Sequence, residues 1–249
     1  MKHMLRGLYQ ATAAMAIAKA KQENISGNIA NVETVGFKRQ VLSEEVFSQA
    51  MLLAQVGPLA NALGSSTARP AISEPRLDWG LGHVTASDSP FHLALGGGGF
   101  FAIMTVDGLR YSRAGDFRLD AEGYLADAFG GRLLLSDGQP LRFTGNNFRV
   151  DTSGEVFQDD VSVGILQVAD FADRNALLKD SQGQFMANGL APIAVIPEVK
   201  QFHLELSNVD LAKEIMEMLL VTRVFQSAQR IVATYDQLME RARDIGSAR

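Results

Sequence analysis

The 249-residue chain contains no cysteine. That absence removes disulfides, thiol nucleophiles and thiolate metal sites together, and it leaves the compartment open, inside or outside the cell. A basic excess is also missing: 23 Lys and Arg stand against 28 Asp and Glu, a net charge of -5, so there is no electrostatic footprint for nucleic acid as a partner. His3, His83, His92 and His203 are scattered, none at ligand spacing from another. No stretch approaches the ~18 consecutive apolar residues that a membrane span needs, so the chain is expected not to be membrane-spanning. The basic, alanine-rich start invites a signal-peptide reading. Lys19, Lys21 and Glu23 interrupt it too early, however, and no small-residue cleavage site follows.

Chemistry is as sparse. Gly96 to Gly99 form a run of four glycines, yet no lysine and hydroxyl residue follow and no helical pattern begins there, so the run reads as a bend and not a phosphate cradle. The many aspartates lack the alternating carboxylate loop of a calcium site. No nucleophile, base and orienter form a defensible set. The expectation is therefore no enzyme, no catalytic residue, no metal and no cofactor.

What the chain does have is a seven-residue step at both ends. Leu211, Met218, Phe225, Val232 and Met239 keep it near the C-terminus, with Val221, Ala228, Tyr235 and Ala242 as a second row. This is a coiled-coil seam. The helix is expected over Leu206 to Asp244, with Ser207 and Asn208 as candidate N-caps and Asp210 completing a capping box. Met1, Leu8, Met15 and Ile29 keep the same step at the N-terminus, broken by Gln22, beside Met4, Ala11, Ala18, Ile25 and Val32. Each end thus carries half of a helical pair. Asn24, Asn28 and Asn31 share one face of the first helix, where buried amides would fix register, and Gly36 supplies the turn that stops it.

Around Pro90 the period changes from seven to two. Phe91 to Leu95, Phe100 to Val106 and Arg132 to Leu135 read as strands. Between strands a turn recurs, as Asp107-Gly108, Asp120 to Gly123, Asp137-Gly138, Asp151 to Gly154 and Asp180 to Gly183. Aspartate caps backbone amides and glycine accepts positive φ, so these are hairpin tips. The resulting fold class is α+β: a discontinuous terminal-helix coiled-coil domain with an inserted antiparallel all-β domain. Its expected parts are a helix over 1–38, an extended arm or linker over 39–89, a β-rich domain over 90–198 and a closing helix over 203–249. Gly57-Pro58, Gly64 to Thr67 and Arg69-Pro70 punctuate the arm.

The run Asn28, Ala30, Asn31, Thr34, Gly36, Phe37 and Lys38 contains Ala-Asn-x-x-Thr-x-Gly-Phe-Lys, which resembles the signature of the bacterial flagellar rod and hook proteins. Leu204 to Leu211, with Ser207, Asn208 and Val209, continuing to Phe225, resembles that family's closing helix. Gly99 to Phe101 with Tyr111 to Phe117 is similar to its central domain. Gly27 and Ala228 depart from the family pattern.

The resemblance implies a structural subunit of the flagellar basal-body rod, needed for motility, that self-assembles through its terminal helices into a torque-transmitting tube. It implies packing between subunits at Leu8, Met15, Ile25, Ile29, Leu211, Met218, Phe225, Val232 and Met239. Its partners would be other copies of itself, other flagellar rod and hook proteins and the flagellar type III export apparatus. Its place would be the basal body, in the periplasm or cell wall, reached without a cleaved signal peptide. The 39–89 stretch would form an extended hairpin. Val163 to Phe171 with Leu178-Lys179 is more similar to proximal than to distal rod subunits. The alternatives are a distal rod subunit, a hook-type protein, or an enzyme or adhesin on a β-domain.

Overall fold

The computed structural model describes residues 2–42, 44–46, 70–72, 75–145 and 147–247. The Gly57-Pro58 and Gly64 to Arg69 signals of the expected arm lie outside the described residues. The chain is α+β, with two long helices and many short antiparallel strands. It forms two compact units, one of residues 1–29, 40–76 and 211–249, the other of residues 30–39 and 77–210.

The first unit is built on α1 (Lys2–Ala30) and α2 (Leu211–Ser247). Both are rich in Ala, Met, Leu, Lys, Gln and Glu, which lose little rotamer freedom in a helix. Along α1, Gly7 lies against the Tyr235 hydroxyl, Gln22 Nε2 donates to Thr222 Oγ1 at 2.9 Å and Asn28 Nδ2 donates to Glu214 Oε2 at 3.2 Å. Ascending positions in α1 meet descending ones in α2, so the helices run antiparallel. Ala18, Ile25 and Val221 form the buried seam, with Ile29, Met218 and Phe225 packed on it. In the same unit Glu44–Val46 pairs antiparallel with Pro70–Ile72.

Both helices are shorter at their inner ends than the sequence suggests. α1 stops at Ala30 and not at 38, because the next residues turn through Thr34 N to Asn31 O and Phe37 N to Thr34 O. α2 starts at Leu211 and not at Leu206. Ser207 and Asn208 do not cap it: Ser207 Oγ accepts from Val209 N, while the Asn208 carboxamide accepts from Arg39 N and donates to the carbonyls of Asp78 and Gly80.

The second unit centres on a nine-stranded sheet. Phe100–Thr105 pairs with Gly108–Ser112 on one side and with Arg132–Leu133 and Val168–Asp170 on the other. A three-stranded meander, Phe148–Val150, Glu155–Gln158 and Val161–Ile165, packs nearby. One core gathers Leu93, Phe101, Phe117, Leu133, Leu141 and Val156; the other gathers Phe100, Tyr111, Leu134, Phe171 and Phe185. Residues 100–103 alternate between them, as the period of two requires.

The unit does not end at 198. Val199–Gln201 pairs with Leu93–Leu95, and His203–Glu205 pairs with Val84–Ala86, so these strands complete sheets begun more than a hundred residues earlier. One hairpin chemistry is used four times. At Asp120, Asp127, Asp151 and Asp180, carboxylate Oδ1 accepts from the amides two and four residues on. The glycine three residues on has φ between 79° and 86°, a region only glycine enters freely. Asp127 to Gly130 was hidden in the sequence by the adjoining Gly131.

Candidate functional site

Two arrangements stand out, one in each unit. In the second unit the signature motif meets the residues before α2. Gly36 has φ +67°, and its amide donates to Glu205 O at 2.8 Å. A Cβ there would strike the Ala114 amide, so position 36 requires glycine on two counts. Two residues later Lys38 Nζ donates to Glu205 Oε1 at 2.7 Å and to Gly80 O at 2.8 Å. Arg113 Nε donates to Glu205 Oε2 at 2.7 Å, and its terminal nitrogens donate to Gly99 O at 2.5 Å and Gly97 O at 2.6 Å. Gly82 N adds a third donor to the carboxylate at 2.9 Å.

All three side chains are 1–3% exposed. Two cations thus share one carboxylate, and backbone carbonyls solvate the rest of their charge. Burial strips the Lys38 ammonium and the Arg113 guanidinium of water and pulls both below their ordinary pKa, although Glu205 works in the opposite direction. The glycine run presents carbonyls to a cation, the reverse of a phosphate cradle. Phe37 lies under the Lys179 ammonium at 4.1 Å, Thr34 Oγ1 donates to Asn31 Oδ1 at 3.2 Å, and Val209 is buried. The contacts of this buried cluster are internal to the unit, so it acts as a lock.

The first unit has an internal seam and an outer face. Ile25 is buried, and Leu8, Met15, Ile29, Met218, Phe225 and Val232 are half-buried, whereas Leu211 and Met239 are exposed. The more deeply buried row is the companion row of Ala11, Ala18, Ile25, Val221 and Ala228. Its small residues allow close approach, and Gly7 lets the Tyr235 hydroxyl touch the α1 backbone. Polar layers interrupt the seam. Gln22 pairs with Thr222, and the buried Asn28 amide both donates to and accepts from the Gln40 backbone at 2.9 Å while donating to the fully buried Glu214.

The outer face of α2 carries another row at the seven-residue step: Val224, Ile231 and Leu238, exposed by 53%, 47% and 46%. Ile215, Leu219 and Leu220 extend the apolar surface, and Arg230, Ile231, Thr234, Tyr235 and Leu238 line a shallow groove on it. The sequence reading did not single out this row, although its spacing was there to find; nor did it pair Glu205 with Lys38 and Arg113. Among the described residues no group of acidic or histidine side chains could hold a metal ion, and no helix is long and apolar enough to cross a membrane.

Comparison with known proteins bears on both arrangements. Residues 94–158 match the D1 domain of the flagellar hook protein FlgE/F/G, and residues 200–245 match the C-terminal segment of the flagellar basal body rod FlgEFG proteins. The chain is 30% identical to the flagellar basal-body rod protein FlgG of Bacillus subtilis, over 95% of its own length and 97% of that protein's. It is 29% identical to the flagellar hook-basal body complex protein FlhO of the same organism, over 96% and 97%. The FlgG of Caulobacter vibrioides is 27% identical, over 95% and 97%.

Proposed function

The chain belongs to the family of bacterial flagellar basal-body rod proteins, a structural family and not an enzyme family, and from that premise we propose that it is a rod subunit self-assembling through its terminal helices. In this reading α1 and α2 act as a coiled-coil pair that joins copies of the chain, and neighbouring rod and hook proteins, into the tube that transmits torque. The subunit is delivered by the flagellar export apparatus and works in the basal body, within the periplasm or cell wall.

The observation that carries the reading is the exposed row Val224, Ile231 and Leu238. A helix whose inner rows already pack on α1 needs no further apolar row for its own stability, and burial gains roughly 25 cal/mol per Å². A few such side chains per neighbour, repeated around a tube, sum to a substantial association energy. The test is an Ile231→Asp, Leu238→Asp chain expressed in cells lacking the native copy. Incorporation into isolated basal bodies and swimming should both be lost, while thermal unfolding of the purified chain is unchanged. Normal rods built from that variant would end the proposal. Cross-linking from position 231 in intact basal bodies then identifies the neighbours and places the subunit in the proximal or distal rod.

A further inference from the structure

We propose that Asn188 is a site of spontaneous deamidation, a chemical clock on the surface of the β-rich unit. Asn188 and Gly189 occupy the two central positions of a tight turn, with φ +42° and +85°, closed by Leu190 N donating to Ala187 O at 2.8 Å. Both residues are exposed. Among the described residues no acceptor takes the Gly189 amide and no partner holds the Asn188 carboxamide, and a Cβ at Gly189 would have nothing within 4 Å. The nucleophile and the electrophile are therefore adjacent, unhindered and unengaged.

The other turns show what protection looks like. Gly138, which follows Asp137, commits its amide to Leu135 O at 2.8 Å, and the Asp137 carboxylate accepts from Gln139 N. Gly108, which follows Asp107, sits in the ladder opposite Thr105. Among the described Asp-Gly and Asn-Gly turns, only that at Asn188 leaves the glycine amide free.

In the reaction the Gly189 nitrogen gives up its proton to solvent base and bonds to Asn188 Cγ. The Cγ–Nδ2 bond breaks and ammonia leaves, closing a succinimide. Water then adds to one of the two ring carbonyls. One ring opening gives aspartate; the other gives isoaspartate, which places an extra methylene in the main chain. Either adds a negative charge at the tip, and the isoaspartyl form also misplaces the flanking residues. Ala187 and Leu190 pack on the cluster of Phe100, Tyr111 and Phe185, on which Trp79 also packs, so an altered turn reaches the core through its own flanks.

The test ages the purified full-length chain at neutral and mildly alkaline pH and follows the peptide containing 187–190 by mass spectrometry, with isoaspartyl methyltransferase labelling. Conversion should be faster there than at any other asparagine, rise in proportion to hydroxide, and run within a few-fold of a short peptide of the same sequence. Trp79 emission should shift as isoaspartate accumulates, and Asn188→Gln should abolish both signals. A folded-chain rate slower than the peptide's by about a hundredfold or more, as local-opening protection would give, overturns the proposal, as does preferential conversion elsewhere.

Discussion

The two units bury polar groups in the same way and differ in how they expose apolar ones. In the β-rich unit the buried charges are matched inside: the Glu205 carboxylate has three donors, Lys38 and Arg113 donate to that carboxylate and to backbone carbonyls, and Asp127 accepts from Gln184. The helical unit also matches its polar layers, Gln22 with Thr222 and Asn28 with Glu214, but it leaves a row of large aliphatic side chains outside. The β-rich unit exposes apolar side chains too, Val161, Val163 and Ile165 among them, but on short strands, whereas those of α2 recur at a seven-residue step along one helix.

The contrast breaks most sharply at Glu205. Glu205→Leu leaves two cations buried without their carboxylate, a loss of about 3–5 kcal/mol. Unfolding in urea followed through Trp79, the single tryptophan, should shift to markedly lower denaturant. The charge-free combination Lys38→Met, Arg113→Met, Glu205→Leu should recover most of the loss, since apolar replacement of a buried ion cluster is often near neutral.

Next comes Phe225→Asp, which puts a charge against Ala18, Ile25 and Val221 and should cost about 3 kcal/mol in the helical pair. Helical circular dichroism should fall and swimming should stop, with the Trp79 transition in place. A joint shift of both signals would mean that the units do not unfold separately. Gly36→Ala forces a side chain into φ +67° against the Ala114 amide and should cost about 1–3 kcal/mol, again read through Trp79.

The pH dependence of the β-rich unit should have one sign in two separate windows. Ser153 and backbone amides hold the Asp151 carboxyl below its usual value, and Arg174 does the same for Asp170. Their stabilisation is present above the unfolded value of 3.8 and is lost as pH falls through the lower folded values. Lys38 is also depressed, by burial, from 10.5. Between its folded value and 10.5 the unfolded chain holds a proton that the folded chain has released, so stability rises with pH across that window. Urea midpoints by Trp79 emission check both arms. The smallest effect is expected from Gln22→Leu, which removes one half-buried hydrogen bond worth about 1 kcal/mol while restoring an apolar row; its signature is looser register, seen as changed cross-linking between positions 7 and 235.

The helices were legible because a seven-residue step survives any tertiary context, and the hairpin tips because aspartate and glycine act within five residues. The lock was not. Lys38 and Glu205 lie 167 positions apart, and an isolated glutamate in a strand reads as a solvated face. The end of the β-rich unit was misplaced for the same reason: Val199–Gln201 and His203–Glu205 find their partners far back in the chain. A fragment of residues 90–198 therefore lacks strands and a counter-ion that the folded unit contains. Glu214 is fully buried beside Asn28, and nothing in its local sequence sets it apart from the solvated charges of α2.

The lock also orders events in time. A chain that emerges N-terminus first delivers Lys38 and Arg113 well before Glu205. Until that carboxylate arrives, closing the carbonyl cage around two bare cations costs several kcal/mol, and Leu93–Leu95 and Val84–Ala86 still lack the strands that pair with them. The β-rich unit therefore stays open while most of its own sequence is already out, and shuts only when the segment leading into α2 has followed.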